Sequence, residues 1–589
     1  MKLIVIKNLN EINFYNSLIS NLTSKNEKFI ILALKGTKNL INFDSKSEED
    51  YYGDLNKDMF FEAWNLYKSW GELKVNNITL MEFLKYKNID MWDYMESNFI
   101  SFLYEYFNDR LQMIKLFKKV IQDEKINCVY FVYDASVISN AILDVTGFYN
   151  IPVIGKRKYK LPNFKPFIIR TLRRYRNRKN SLDLEVKKNQ VLFIISLNSA
   201  IDSILPIIKR TSDGLIIRQE IRVKEQLKNV LDSNNLDYVD FEKFCSFDDI
   251  KNVKDYLKIY NNKFKSFKKI KFSYLNIQLE NSLEDIFDYF FGKRMFIEEI
   301  LYVHEVGRNM IDICKPSLIF GLDESSGLAK PVYRYCREQK IPLVYMQNGV
   351  LNNREPTSYN SPTLDYYLAY GLRSKEFYNK RGIKNVIVTG WPKLDSVLDN
   401  RDKDSIMEKF SLPNKRIILF TSAVHKSING PIFLALLDSA KELKEFQIIV
   451  KKHPGDELTT NEYLRLSAKY KTHVTILSSN LYDLFYVSDV IISFGSSTIL
   501  EALAFDKPVI SLNLTGVKDD LPYVGAGVCY EVYSKEDLKK AIDDVLNNKK
   551  VINSLKKARD KILKDLFYKI DGNSTKRVLD IINKIKLKY

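Results

Sequence analysis

Short runs of valine, isoleucine, leucine and phenylalanine alternate along the chain with longer amphipathic stretches. Apolar runs of this length, separated by segments with helical periodicity, are typical of parallel strands connected by helices. The alternation falls into three blocks. We therefore expect an α/β protein built from several Rossmann-like, doubly wound sheets.

The first two blocks cover residues 1–155 and 190–391. Their closing segments, 131–154 and 320–344, share a strand, Asp-x-Ser, a helix, Ile-Pro and another strand. We interpret the first block as a diverged copy of the second, although βαβ units in general can produce this pattern.

The third block, residues 392–589, gives the clearest prediction of a doubly wound sheet, and it ends in helical segments. Ligands of such sheets bind at the carboxyl ends of the strands, so the loops after the strands are where function is sought. The predicted strands read RIILFTS, FQIIVKKHP, VTILSS, DVIISFG and KPVISLNL.

The composition narrows the class of protein. A hydrophobic fraction of 45% and a charged fraction of 28% exclude wholesale disorder. The chain contains no run of about 18 apolar residues, the length that a membrane-spanning helix needs. The apolar start reads as a first strand and not as a signal peptide. Five scattered cysteines without a CxxC pair indicate a reducing compartment, so we expect a cytoplasmic protein.

The net charge of +18 is concentrated in one segment. Residues 156–180 contain eleven of the 91 lysines and arginines and no acidic residue. We place a basic linker at 156–189. The segment could lie on an anionic membrane surface or simply be a solvated linker. Because no nucleic-acid-binding module surrounds it, we do not expect a nucleic-acid partner.

Several familiar sites lack their motifs in this sequence. A GxxxxGK[ST] phosphate loop, a GxGxxG after the first strand of a block and a GxSxG elbow are all missing. The four histidines are not closely paired, which argues against a histidine-based metal site.

The segment IIVKKHPGDE ends an apolar strand with Lys451, Lys452 and His453. Proline ends the strand and fixes the turn, so these side chains are expected at the carboxyl edge of the sheet. There they could contact a diphosphate. A solvated loop with a helix-capping histidine explains the same pattern.

The segment SFGSSTILEAL places Ser496, Ser497 and Thr498 at the start of a helix that follows a strand and a glycine turn. Hydroxyls and free backbone N–H groups at a helix start favour anions. Thr498 and Glu501 also match a capping box, which would explain those two residues but not Gly-Ser-Ser. In ILFTSAVHKS, Ser422 follows the first strand of the block and faces the same edge.

These motifs together resemble the C-terminal domain of GT-B glycosyltransferases of surface polysaccharides. The order is a strand with HP, a strand with Gly-Ser-Ser-Thr and EAL, and then KPVI. Similar patterns occur in bacterial sialyl- and polysialyltransferases, CDP-glycerol glycerophosphotransferases and UDP-N-acetylglucosamine 2-epimerases. The segment IPLVYMQNGV is similar to their strand ending in Gln-His-Gly, with Asn348 in place of the histidine. The segment 368–397, with TGWPKLD, resembles their inter-domain passage.

The resemblance implies a two-domain GT-B enzyme preceded by an extra N-terminal Rossmann-like domain. It implies that His453 and Ser496–Thr498 hold the phosphates of a nucleotide-activated donor and that Glu501 lies near the ribose. Ser422 and Lys452 are further candidate phosphate ligands because of their positions after neighbouring strands. It further implies inverting, metal-independent transfer of a sugar to a glycan or lipid-linked glycan. The nucleotide-sugar is a substrate, and no cofactor is expected.

Inverting transfer needs a base for the hydroxyl of the acceptor. Asp323 and Glu324 follow a predicted strand of the second block and loosely resemble the acidic pair of the bacterial sialyltransferases. Asp323 could instead cap the next helix, and we expect the same of Asp134 in the equivalent place of the first block. Glu355 and Asp365 are weaker candidates for the base.

Three other readings remain open from the sequence. Glycerophosphate transfer would change the donor but not the phosphate site. A sugar-nucleotide 2-epimerase would share the same fold, although the basic segment and the added domain favour a polymeric or lipid-linked acceptor. The third reading is a scaffold without catalytic activity.

Overall fold

The computed structural model describes most of the chain. Residues predicted to act as the base (Asp323, Glu324, Glu355) and the basic segment 156–180 lie outside the described residues. The described residues are 1–7, 12–34, 44–47, 49–52, 59–86, 89–92, 104–134, 136–155, 186–195, 201–218, 225–267, 271–287, 291, 295–322, 329–351, 365–380, 382–440, 442–478, 480–516, 519 and 521–589.

The chain divides into two compact units. Unit 1 comprises Met1–Glu185, Phe241–Asp312 and Ser325–Tyr335, and unit 2 comprises Val186–Asp240, Ile313–Glu324 and Cys336–Tyr589. The predicted second block is therefore shared between the units, because its helical region 241–312 belongs to unit 1. The predicted domain boundaries stay predictions.

Unit 1 contains a five-stranded parallel sheet with the order β3-β2-β1-β8-β9. Its strands are β1 (Lys2–Ile6), β2 (Phe29–Ala33), β3 (Lys46–Ser47), β8 (Cys128–Tyr130) and β9 (Val153–Ile154). Its helices are α1 (Ile12–Ser24), α2 (Glu49–Tyr52), α3 (Phe60–Gly71), α4 (Leu80–Phe83), α5 (Tyr104–Asp123), α6 (Val137–Phe148), α9 (Phe247–Phe264), α10 (Glu280–Phe287) and α11 (Met295–Cys314). α12 (Ala329–Glu338) begins in unit 1 and ends in unit 2.

The expectation that Asp134 caps a helix is wrong. Ser136 is the N-cap of α6, and its hydroxyl accepts the N–H of Ser139. Asp134 instead accepts a 2.6 Å hydrogen bond from the buried ammonium of Lys7. Since a buried ammonium needs an opposite charge, the aspartate neutralises Lys7 at the carboxyl edge of β1 and β8.

Unit 1 also contains three copies of one β-hairpin in its described part, which the sequence reading missed. Their sequences, LKVNNITL, LKYKNIDM and FSYLNIQL, share an Asn-Ile dipeptide at the same position. In each copy the N–H of the last residue donates to the carbonyl of the first, at 2.8–2.9 Å. The strands are β4 (Lys74–Val75), β5 (Ile78–Thr79), β6 (Lys85–Tyr86), β7 (Ile89–Asp90), β13 (Ser273–Tyr274) and β14 (Ile277–Gln278).

Unit 2 contains a seven-stranded parallel sheet with the order β12-β11-β10-β15-β16-β17-β18. The last two strands overlap the segment 368–397, which we predicted to be an inter-domain passage. The strands are β10 (Val191–Ile195), β11 (Gly214–Arg218), β12 (Tyr238–Asp240), β15 (Leu318–Gly321), β16 (Leu343–Met346), β17 (Tyr366–Ala369) and β18 (Val386–Val388). The connecting helices are α7 (Ile201–Ile208), α8 (Glu225–Ser233) and α13 (Leu372–Lys380).

A second parallel sheet of unit 2 has the order β21-β20-β19-β22-β23-β24. Its first five strands match the predicted ones, and β24 is an addition. They are β19 (Arg416–Thr421), β20 (Phe446–Lys451), β21 (Val474–Leu477), β22 (Val490–Ser493), β23 (Val509–Leu512) and β24 (Tyr530–Val532). Its helices are α14 (Lys403–Lys409), α15 (Lys426–Ala440), α16 (Thr460–Lys469), α17 (Leu481–Val487), α18 (Thr498–Ala504), α19 (Leu538–Asn547), α20 (Lys549–Phe567) and α21 (Ser574–Lys588).

The passage Thr389–Asp395 joins the two sheets of unit 2. The indole N–H of Trp391 donates to Ser203 of α7 at 2.8 Å, and the Trp391 ring stacks on Tyr370. The carboxylate of Asp395 accepts the N–H groups of Ser574 and Thr575, at 2.9 and 2.7 Å, at the start of α21. The passage thus connects the first sheet to the last helix.

The last helix returns to the first sheet of unit 2. Val578 and Ile582 share a hydrophobic core with Ile204 of α7, and Lys586 forms an ion pair with Asp213. Two doubly wound sheets and a returning helix confirm the predicted α/β class with Rossmann-like sheets. In the described part of the chain, no helix is long and apolar enough to cross a bilayer.

Replacing Asp395 with alanine is expected to lower the free energy of unfolding by about 2 kcal/mol, because two N–H groups of α21 lose a charged acceptor. Thermal unfolding measures the effect. The control is Asp399→Ala, since the side chain of Asp399 is 64% exposed and its loss should matter little. Equal melting midpoints for both variants would contradict the role of Asp395.

Candidate functional site

The carboxyl ends of β19, β20 and β22 lie side by side in the second sheet of unit 2. The chain builds one side of β19 through β20 and β21 and then continues on the other side at β22. The topological switch point therefore lies between β19 and β22, which is where doubly wound sheets bind ligands. Three predicted residues, Ser422, His453 and Ser496, follow these strands at this edge.

Ser422 connects the loops after β19 and β20 through two hydrogen bonds. Its N–H donates to the carbonyl of Lys451 at 3.1 Å, and its hydroxyl accepts the N–H of His453 at 2.8 Å. The side chain is buried. Because both groups face the β20 loop, Ser422 sets the position of the His453 backbone.

The imidazole of His453 is held in one orientation by its own turn. Its Nδ1 accepts the N–H of Gly455 at 3.0 Å, so the neutral ring carries its proton on Nε2. Burial and the cation of Lys451 lower the pKa of His453, and Asp456 opposes them. The ring is therefore neutral at pH 7, with one N–H available to an acceptor.

The side chain of Lys451 lies on the side of β20 that faces the interior of unit 2. Side chains alternate along β20: Ile449 packs into the core that includes the first sheet, whereas Val450 packs into the outer core. Lys451 follows on the side of Ile449. Burial and the neighbouring cation of Lys393 lower the pKa of Lys451. The sequence predicts Lys451 and Lys452 together at this edge, and the alternation along β20 shows which of the two faces inward.

The predicted phosphate ligand Lys452 lies on the outer side of the sheet, next to α16. Its Nζ is 5.9 Å from the centre of the Tyr463 ring, a residue of α16 on the outer side of the sheet. The carbonyl of Lys452 accepts a hydrogen bond from the ammonium of Lys451 at 3.1 Å. Of the two lysines, Lys451 is thus the one oriented towards the interior of unit 2.

An internal network fixes the loops after β19 and β20 to each other. The buried amide of Asn429 accepts the N–H of Ala423 and donates to Asp456, both at 2.8 Å. The other oxygen of Asp456 accepts the hydroxyl of Tyr463 at 2.8 Å. Since Asp456 follows the His453 turn, this network limits the movement of that turn.

The glycine turn after β22 has the predicted form. Gly495 has a φ of +63°, which favours glycine, and its N–H donates to the hydroxyl of Tyr523 at 3.1 Å. Ser496 donates to the hydroxyl of Thr498 at 2.8 Å and accepts its N–H. Ser497 is the N-cap of α18, and its side chain makes no capping hydrogen bond.

Glu501 is not the second member of a capping box. Thr498 is the first residue of α18 and not its N-cap. The Oε2 atom of Glu501 lies 2.8 Å from the ammonium of Lys393, and the carboxylate is buried. The carboxylate of Glu501 and burial raise the pKa of Tyr482, with burial the larger cause. Glu501 therefore belongs to a buried charged cluster.

The candidates for the base are only partly described. β15 ends at Gly321, shortly before Asp323 and Glu324. Asp365 precedes β17 and accepts the N–H of Leu343 at 2.9 Å, which places it at the amino edge of the sheet. Gln347 of the QNG segment is buried and accepts the N–H of Tyr370 at 3.0 Å. Gln347 thus has a structural role.

Within the described ranges, no group of three or more histidine, cysteine, aspartate or glutamate side chains is arranged to hold a metal ion.

One protein family has a model that matches this chain. It is described as CDP-glycerol:poly(glycerophosphate) glycerophosphotransferase, and it matches residues 342–584. That segment begins just before β16 and contains the passage, the second sheet and most of α21. It is shorter than half of the chain.

Individual relatives are distant. Lipid-A-disaccharide synthase of Geobacter sulfurreducens is 26% identical over 139 residues, or 23% of this chain. The chain spans about a third of that relative's length, 35%. UDP-GlcNAc 2-epimerase from Neisseria meningitidis, bound to UDP-GlcNAc, is 17% identical with a TM-score of 0.45, over 67% of this chain and 100% of that chain. A glycosyltransferase from Rickettsia africae is 18% identical with a TM-score of 0.41, over 68% and 98%.

Two doubly wound sheets in one unit, joined by a short passage and followed by a returning helix, define a GT-B protein. The predicted GT-B fold is therefore confirmed, as is the resemblance to the surface-polysaccharide enzymes. Together with the matched family, the fold supports a transferase of the glycosyl or glycerophosphate type.

Replacing Lys451 with methionine is expected to raise the pKa of His453 by up to about one unit, because a nearby cation disfavours the imidazolium. NMR titration of the imidazole protons measures this, and the chain has only four histidines. Lys452→Met is the matched control, since its ammonium lies over Tyr463. An unchanged pKa of His453 in Lys451→Met would contradict the assigned geometry.

Proposed function

We propose that unit 2 is a GT-B transferase that moves a sugar from a nucleotide-activated donor to a hydroxyl of a glycan or lipid-linked glycan. The observation that carries this proposal is the convergence at one switch point of a neutral imidazole, a glycine turn with three hydroxyl residues and a buried carboxylate. The donor is a substrate, and the proposed reaction uses no metal.

The phosphates are proposed to lie at the edge formed by β19, β20 and β22. The Nε2–H of His453, the N–H groups of Ser496 and Ser497 and the hydroxyls of Ser497 and Thr498 would donate to the phosphate oxygens. The start of α18 adds a favourable dipole. As the bond between sugar and phosphate breaks, these donors stabilise the negative charge that accumulates on the leaving nucleotide.

The ribose is proposed to lie beside Glu501. A carboxylate accepts hydrogen bonds from the two vicinal hydroxyls of a ribose. Glu501 is on the first turn of α18 and thus lies one helical turn from the phosphate-binding residues. This separation suits a nucleoside diphosphate.

The base is proposed to be Asp323 or Glu324. One carboxylate takes the proton of the acceptor hydroxyl while its oxygen attacks the anomeric carbon and the nucleotide leaves from the opposite face. This single displacement inverts the configuration. The amide of Asn348 cannot accept that proton as a base, so a carboxylate that follows β15 in the sequence is the better candidate.

Transfer of glycerophosphate is the second candidate, and the family match over residues 342–584 favours it. The same phosphate-binding edge would then hold CDP-glycerol, and the acceptor oxygen would attack phosphorus instead of carbon. The identity of the donor that binds separates the two candidates.

His453→Ala is expected to weaken nucleotide binding by about tenfold or more, through loss of a hydrogen bond to a charged phosphate. Calorimetry with CMP-, CDP-, UDP- and GDP-linked donors measures this. The control is His473→Ala, since His473 lies just before β21 at the opposite edge. Unchanged affinity in His453→Ala would remove the site assignment, and wild-type protein that binds none of the donors would end the transferase proposal.

Asp323→Asn and Glu324→Gln test the base. Loss of the base is expected to lower turnover about a hundredfold or more while nucleotide affinity is kept. Release of nucleotide from the donor found by calorimetry measures turnover. Asp365→Asn is the control, because Asp365 lies at the amino edge. If both variants kept full turnover, the base would have to be sought elsewhere.

A further inference from the structure

Lys393 lies where charged groups from both sheets of unit 2 meet. It belongs to the passage, in a 3-10 helix at Pro392–Leu398. Its ammonium is 2.8 Å from Glu501 of α18 and 3.8 Å from Asp202 of α7. The side chain of Lys393 is 21% exposed, whereas that of Glu501 is 6% exposed. One lysine thus pairs with a carboxylate from each sheet.

Two aromatic rings hold the ammonium of Lys393 in place. Its Nζ lies 5.6 Å from the ring centre of Trp391 and 5.5 Å from that of Tyr482. Both rings are buried, and a cation over a buried aromatic face is stabilised by the ring quadrupole. The position of the ammonium is therefore defined by the aromatic rings as well as by the ion pair.

The carboxylate of Glu501 depends on this cation. A carboxylate that is almost fully buried is costly unless it is paired. The ammonium approaches Oε2, and a carboxylate can accept further hydrogen bonds. Lys393 can therefore neutralise Glu501 and still leave it able to accept hydrogen bonds from a ligand.

We propose that Lys393 is a positioning residue that pairs with Glu501 and holds its carboxylate in the orientation that accepts the ribose hydroxyls of the donor. This inference rests on the proposed function, in which Glu501 binds the ribose. Lys393 itself does not touch the ribose. It acts through Glu501, so its contribution should depend on the ribose hydroxyls and not on the phosphates.

The test compares a ribonucleotide with its 2′-deoxy counterpart by calorimetry, using CDP, UDP and GDP as probes. Lys393→Met is expected to weaken binding of the ribonucleotide about tenfold and binding of the 2′-deoxynucleotide about twofold or less. Lys393→Arg, which keeps the cation, should retain most of the preference for ribose. The control is Lys409→Met, because Lys409 pairs with Asp483 on the surface at 3.2 Å.

Equal losses for both nucleotides in Lys393→Met, or no loss, would overturn the inference. If Lys393→Met does not fold, Glu501→Gln provides the same measurement from the partner side. It should remove the preference for ribose. The double variant Glu501→Gln/Lys393→Met, which leaves no unpaired carboxylate at position 501, should show the same ratio. Wild-type protein that binds none of the nucleotides would instead contradict the proposed function.

Discussion

The architecture of unit 2 depends on the contacts of one short passage, Thr389–Asp395. Its indole donates to α7 of the first sheet, its aspartate accepts the first N–H groups of α21, and its lysine pairs with Glu501 of the second sheet. Gly390 has a φ of +81°, and an added Cβ would lie 2.5 Å from the hydroxyl of Ser574. A side chain at Gly390 would be strained at this φ and would crowd Ser574, so the contact between the passage and α21 would have to shift.

The sequence predicted most strands because valine, isoleucine and leucine runs report burial on both faces of a parallel sheet. It also predicted a site in the loops after β19, β20 and β22, because these loops carry polar residues with turn-forming neighbours, and the strand order brings the three loops to one edge of the sheet. It did not predict the partner of Glu501, because Lys393 is far away along the chain and only the passage brings it near. The choice between Lys451 and Lys452 was open to pattern reasoning, since alternation along β20 decides it.

The two units use the edge of a parallel sheet in different ways. In unit 1, the ammonium of Lys7 fills the edge of β1 and β8, where it donates to Asp134, to Ser139 and to the carbonyl of Val132 at 2.6–2.7 Å. In unit 2, the turn at Ser496–Thr498 and the Nε2–H of His453 are proposed to donate hydrogen bonds to a ligand. Sheets with the same βαβ pattern therefore differ at this edge: a lysine of the chain occupies it in unit 1, and we propose that a ligand binds there in unit 2.

The return of α21 to the first sheet has a consequence for the order of folding. Asp213 and Lys586 are separated by 373 positions, and Trp391 is separated from Ser203 by 188. Contacts between such distant positions require the closure of very long loops, which slows folding. Each sheet of unit 2 is built largely from neighbouring βαβ segments and can form early. We therefore expect the joining of the two sheets through α21 to be a late event in folding.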